Sequence, residues 1–341
     1  MIARRRILSA VIFFCISGSA LFFLNCGQSG FVTMGTLDQN LRNTSGSTIP
    51  PTTTTTLPLP PQTFFDPAQV PVLIGTGYTW AEGPTWDKRT QKLFFSDVST
   101  DRLLTWSGSG QPSVFRSSTS SANGNAMSED GYLITCEGFP LRRVIKTDLQ
   151  TGSITVLANS YNGKAFNAPN DLVIHKSGII YFTDPTYSTA GNLIEQPVRG
   201  VYRLDPNGTV TLIDGSMNQP NGIALSPDDS RLYIADTGRQ IIYKIDLTAE
   251  GLAQGAPSVF LNDSNNGTGN GLDGLAVDMY GNLYSSGANS IRVFNPVGNL
   301  LDTFNIGEAT TNLTFGGPNN QTIYVVSPSA VRHIQARVSG L

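Results

Sequence analysis

Cysteine and histidine are nearly missing from this chain, and their scarcity removes several kinds of chemistry. Of three cysteines, Cys15 and Cys26 lie in an N-terminal apolar region, which leaves Cys136 alone in the part that can fold. One cysteine builds neither a disulfide framework nor a thiolate zinc site. The two histidines, His175 and His333, are too few for a multi-histidine metal centre. They would suffice for a Ser-His-Asp triad, but no nucleophile elbow accompanies either one. A surplus of positive charge is also missing. The formal net charge is −3, and it is near −6 without the first 25 residues, which carry Arg4, Arg5 and Arg6. Nothing here neutralises phosphate, which argues against nucleic acid as a partner. Sustained helical periodicity is absent as well.

What remains is a balanced chain of 341 residues, 39% hydrophobic and 14% charged, able to bury a core and too apolar for disorder. Its 35 glycines suit a fold with many tight turns. Residues 1–25 are expected to be an export signal: three arginines, then an uncharged and mostly apolar run from Ile7 to Leu24. Phe23-Leu24-Asn25-Cys26-Gly27 resembles a bacterial lipobox, with Asn25 where a small residue is usual. The expectation is a lipoprotein first, an uncleaved anchor of 18 residues second, and a plain secretory signal third. In each case the domain works outside the cytoplasmic membrane, periplasmic or at the cell surface, and membrane contact is confined to the tether. Residues 26–63, with the run from Thr44 to Thr63 rich in Thr and Pro, are expected to form an extended spacer.

The remainder, 64–341, repeats itself. AEGPTW (81–86), ANGNAM (122–127), PNDLVI (169–174), PNGIAL (220–225), LDGLAV (272–277) and TNLTFG (311–316) align, at gaps of 41, 47, 51, 52 and 39. Each is followed by a turn and a β-rich run: KLFFSD, YLITCE, IIYFTD, RLYIAD, NLYSSG, TIYVVS. A third strand and a poorer fourth complete most repeats. Periods of this length built from short strands predict an all-β fold, a six-bladed β-propeller of four-stranded antiparallel blades. The sixth repeat lacks a fourth strand after Val338, and the segment Phe64 to Thr76 is expected to supply it and close the ring.

The second aligned position reads Glu82, Asn123, Asn170, Asn221, Asp273 and Asn312. In a propeller the start of each first strand faces the central channel, so six oxygen-bearing side chains converge there. Asn and Asp often cap turns, and any single one of the six reads best that way. Capping does not need Glu82, however, and it tolerates Ser, Thr or Gly, none of which occurs. The set therefore predicts a site for a hard divalent cation, neutralised by two carboxylates. A second series, Asp97, Glu137, Asp184 and Asp236, ends the second strands. Turn capping is the main reading there, with a minority catalytic or supporting role for Glu137 and Asp184.

These motifs, with ITCEG, NAPNDL, YFTDPTY and GLDGLAVDMYGNLY, resemble the gluconolactonase, SMP-30 and regucalcin group of calcium-dependent lactonases over about residues 70–338. The resemblance implies a metal held by Glu82, Asn170, Asn221 and Asp273. The ion it implies is Ca2+, with Zn2+, Mg2+ or Mn2+ as alternatives. Asn123, Glu137 and Tyr187 are the candidate substrate contacts, Tyr187 either as part of a lid over the site or as an ordinary surface aromatic. The implied chemistry is opening of a lactone ring, with Asp273 activating water or attacking directly. One departure stands out: many members carry Arg where this chain has Ala165, with Lys164 and Arg142 as possible substitutes. Other readings are an aryl-ester or phosphotriester hydrolase on the same site, or a non-catalytic surface propeller. No interface helix is evident, and a monomer is expected.

Overall fold

The computed structural model describes residues 59–187, 191–264 and 271–341. The export segment and all of the spacer before residue 59 lie outside the described residues. The described chain forms six four-stranded antiparallel sheets, each a meander, and these are the blades of a six-bladed propeller.

The inner strands are Ala81–Asp87, Ala122–Met127, Leu172–Ile174, Pro220–Leu225, Leu275–Val277 and Asn312–Gly316. Each contacts the inner strands on both sides, so the six form a closed ring. The second strands are buried almost throughout, because neighbouring blades cover both of their faces. That double burial explains their near-continuous apolar runs. Tyr181, Tyr233 and Tyr284 are fully buried on the second strands of blades 3, 4 and 5, and Tyr202 is fully buried on the third strand of blade 3. Each such side chain contributes about 1.5–3 kcal/mol by leaving water. The outer strands are mostly exposed, as Ile154–Ala158 illustrates, which accounts for their weaker sequence signal.

The ring closes as the sequence predicts. The strand Val72–Thr76 pairs antiparallel with Ala330–Gln335, from Val72 opposite His333 to Thr76 opposite Ala330. The first strand of the described chain thus becomes the outer strand of the last blade. Phe64 and Phe65 extend the fastening into blade 5. Both are 3% exposed and pack edge-on against Tyr284, while the backbone N–H of Phe64 donates to Asp302 Oδ2 at 2.9 Å. Two features lay outside the expectations. A two-residue hairpin, Ser160–Tyr161 with Lys164–Ala165, precedes blade 3, and a 3-10 turn, Gly191–Leu193, sits in the insertion of that blade.

The blades are also stitched together at the axis. At every junction a side chain of one blade bonds a backbone carbonyl of the next blade near its axial residue. Ser96 Oγ donates to Asn123 O at 2.7 Å, Thr183 Oγ1 to Asn221 O at 2.8 Å, and Ser286 Oγ to Thr311 O at 2.9 Å. Cys136 Sγ reaches Asp171 O at 3.8 Å, Thr237 Oγ1 donates to Leu272 O, and Thr311 Oγ1 to Ala81 O. The lone cysteine of the fold is therefore a buried junction residue. Glycine lets the backbones come this close: a Cβ at Gly222 would lie 2.1 Å from Asp273 O, and one at Gly83 would lie 2.0 Å from Asn123 O.

Removal of residues 64–76 is expected to abolish the cooperative thermal transition. The point substitution Phe65→Ala is expected to cost about 3–5 kcal/mol. Chemical denaturation of both variants checks this, and a truncated chain that unfolds like the intact one would contradict the closure.

A candidate metal centre in the channel

The ladder between first and second strands is broken at the axial residues. In blades 1, 2 and 4 the register shifts between Glu82 and Thr85, between Ala122 and Asn125, and between Pro220 and Ile223. In blades 3 and 5 the regular inner strand starts only after Asn170 and Asp273. Such breaks re-aim side chains. They turn Glu82, Asn123, Asn170, Asn221 and Asp273 out of the pleat. Asn312 differs, since it pairs in a regular ladder opposite Val326.

Glu82, Asn170 and Asn221 are 4%, 7% and 7% exposed. Asp273 is partly open to the channel, yet its Oδ1 is buried and has no hydrogen-bond partner. The same holds for Oδ1 of Asn123. Asn221 places its amide toward Asp273 and the Tyr187 hydroxyl, the latter at 3.5 Å from Nδ2. Glu82 Oε2 accepts from the Gly83 N–H at 3.1 Å and from Asn312 Nδ2 at 3.3 Å, and the Trp80 indole N–H also bonds its carboxylate.

A residue that the sequence reading passed over completes the cluster. Asp171, 7% exposed, accepts from Asn312 Nδ2 at 3.4 Å through Oδ2. Asn312 thus bridges Glu82 and Asp171 and is tied up within the channel wall. The signal was present: where four repeats place glycine after the axial residue, blade 3 places a carboxylate. Beyond Asp171 and Asn312 the channel continues to the opposite face as a cavity of about 590 Å3, lined by the inner strands.

Electrostatically the cluster is uncompensated. Burial, together with repulsion from Asp171, pushes the Glu82 carboxyl up to about 8. Burial, with Glu82 and Asp171 nearby, holds Asp273 well above the usual carboxylate range, and burial raises Asp171 to about 6. Among the described residues, no lysine, arginine or histidine forms a salt bridge with any of the three. Nor do three His, Cys, Asp or Glu side chains converge tightly enough to hold a metal by themselves. A cation here needs carboxamide oxygens too, and Asn123, Asn170 and Asn221 offer them. Buried carboxylates without counter-charge, and buried oxygens without donors, fit a hard divalent ion.

The second series does different work. Asp97, Asp184 and Asp236 each accept two backbone N–H bonds from the lead-in to their own inner strand: Thr79 and Trp80, Asn167 and Ala168, Asn218 and Gln219. Asp184 thus caps like its neighbours, and burial raises it to about 7. Glu137, 1% exposed, has both carboxylate oxygens engaged, Oε1 by Arg116 at 2.9 Å and Oε2 by Arg143 at 2.6 Å. Tyr187 stands over Asn221, half exposed. Ala165 lies in the small hairpin, where its N–H donates to Glu195 Oε2 at 3.1 Å. Arg142, the supposed substitute for the missing arginine, is instead bound to Glu195 at 2.7 Å, and Lys164 is exposed.

Residues 80–329 match the SMP-30/Gluconolactonase/LRE-like region, and the chain belongs to that family. A gluconolactonase of Zymomonas mobilis is 29% identical over 352 residues, spanning 96% of this chain and 97% of its own. A pentonolactonase of Haloferax volcanii is 24% identical over 75% of this chain and 84% of its own. The solved structure of a gluconolactonase from Xanthomonas campestris superposes with a TM-score of 0.69 at 28% identity, over 82% of this chain and 99% of that one.

The raised carboxyl groups carry a pH signature. Without a cation, Glu82 stays protonated in the folded chain up to about 8, while in the unfolded chain it ionises near its ordinary 4.5. The folded state then binds more protons across that window, so stability is highest below it and falls as pH rises through about 8. Melting temperature in chelator is expected to drop from pH 5 to pH 8, and added Ca2+ to restore it. A flat profile in chelator would contradict the uncompensated cluster.

Proposed function

We propose that this protein is a metal-dependent lactone hydrolase whose axial oxygens hold one divalent cation, Ca2+ by preference, at the top of the propeller channel. The observation that carries this reading is the buried, unpartnered Asp273 Oδ1, in a cluster of carboxylates that no basic side chain among the described residues bridges. The lactonases among its relatives favour a lactone over other acyl substrates. Glu82, Asn170, Asn221 and Asp273 would hold the ion. When bound, such an ion supplies Lewis-acid polarisation of a carbonyl oxygen.

The chain's own residues account for the rest. Asp273 accepts the proton of the attacking water at a carboxylate oxygen; the water oxygen adds to the acyl carbon, the ring C–O bond breaks, and the leaving ring oxygen takes that proton back from Asp273 to become a hydroxyl. The product is a hydroxy acid. The Asn221 amide fixes the Asp273 carboxylate, and its second contact with Tyr187 holds that amide in place. Asn123 Oδ1 accepts a hydrogen from substrate or water. Glu137, locked between Arg116 and Arg143, keeps the blade 2 rim in position and does not itself meet substrate. The basic and then apolar composition of residues 1–25 supports a location outside the cytoplasmic membrane for this chemistry.

Asp273→Ala is expected to lower kcat/KM for lactones by about 10^3 or more while the protein still melts cooperatively. Chelation is expected to remove activity, and Ca2+ to return it. A proton-release assay checks both, and near wild-type turnover in Asp273→Ala would sink the assignment.

A further inference from the structure

The mouth of the channel has a composition that the axial cluster does not explain. Trp80 and Tyr187 each turn a polar tip inward, the indole N–H onto Glu82 and the hydroxyl to within 3.5 Å of Asn221 Nδ2. The two residues are nevertheless 45% and 48% exposed. Glu82 belongs to blade 1 and Asn221 to blade 4, which face one another across a six-bladed ring, so the two aromatic bodies flank the cluster from opposite sides. Phe139 and Leu141, 38% and 49% exposed, stand on the blade 2 turn that follows Glu137. Leu193 and Ile194, both 37% exposed, stand on the blade 3 insertion. Arg142 fastens these two segments together, donating to Leu193 O at 2.8 Å and to Glu195 at 2.7 Å.

Several of the charged groups that would read a sugar are already engaged. Both oxygens of Glu137 belong to Arg116 and Arg143, which in turn spend their charge on it. Arg142 is consumed by the insertion, and Ala165 offers no side-chain donor. A polyhydroxylated ring bound here would give up water without recovering its hydrogen bonds, which is costly. An apolar chain would instead displace water from half-exposed aromatic and aliphatic surface, which is favourable.

We propose that the native substrate is a lactone carrying an apolar substituent, with its ring over the axial cluster and its substituent along the rim formed by Trp80, Tyr187, Leu141 and Ile194. This inference rests on the lactonase reading and narrows it from lactones in general to alkyl- or aryl-substituted ones. Trp80 and Tyr187 are doubly placed, since each touches a cation-holding side chain and offers an apolar wall. Leu141 and Ile194 contribute surface only.

The test measures kcat/KM of the full chain with Ca2+ for three lactones: δ-undecalactone, its unsubstituted parent δ-valerolactone, and D-glucono-δ-lactone. The alkyl lactone is expected to exceed each of the others by about tenfold or more. The double variant L141S/I194S is expected to shrink the preference for δ-undecalactone over its parent by about threefold, through KM. Equal or better turnover of the sugar lactone overturns the inference and leaves the lactonase reading intact, because the aromatic walls would then stack on a sugar ring. A preference for the alkyl lactone that survives unchanged in the double variant overturns the placement of the substituent. Turnover of none of the three by calcium-loaded protein overturns both the inference and the reading beneath it.

Discussion

The site depends on the hydrogen bonds that cross from each blade to the backbone of the next. A carbonyl held by a neighbour's hydroxyl or thiol cannot drift, and six such contacts fix the backbone of the whole axial ring. Each is worth only about 0.5–1.5 kcal/mol net, but leaving a buried carbonyl unpaired costs about 1–3 kcal/mol. In four blades glycine follows the axial residue, and a Cβ at Gly83 or Gly222 would strike the adjoining backbone. Donor positions are therefore set by the ring before any ligand arrives. Preorganisation of this kind is what an electrostatic site needs, since oxygens that moved apart to relieve their repulsion would have to be gathered again.

That rigidity has an electrostatic consequence. The ring holds Glu82, Asp171 and Asp273 close together, and among the described residues no basic side chain forms a salt bridge with them. Protonation relieves the strain at low pH, and a bound divalent ion would relieve it at neutral pH. Folding and ion binding would then be linked, with part of the ion's affinity stored in the native packing. Asn312, donating to both Glu82 and Asp171, moderates the repulsion between two of the three carboxylates.

Much of the fold was legible in the sequence because of how propellers bury their strands. Second strands covered on both faces must be apolar throughout, so KLFFSD, RLYIAD and TIYVVS announce themselves. The missing sixth outer strand, and its replacement by the segment from Phe64 to Thr76, followed from simple counting. The axial series was legible for a similar reason, since six blades repeat one geometric position. What stayed hidden was pairing. Nothing local distinguishes the engaged carboxylate of Glu137 from an available one; its two arginines lie 21 residues before it and 6 after. Asp184 looked like a candidate for chemistry until its partners proved to be the lead-in N–H groups of its own blade. Asp171 was readable in principle, as the acid that breaks the glycine pattern, but its convergence with Glu82 and Asp273 exists only once the ring closes.

The central claim is that the axial oxygens form one high-affinity site for a hard divalent cation. Calorimetric titration of Ca2+ into chelator-treated full-length protein tests it most directly, beside the Glu82→Gln variant, which keeps the shape of the side chain and removes one charge. The account expects a single ion per chain in the wild type and an affinity about 100-fold weaker in the variant. Absence of saturable binding in the wild type, or equal affinity in the two proteins, would contradict it.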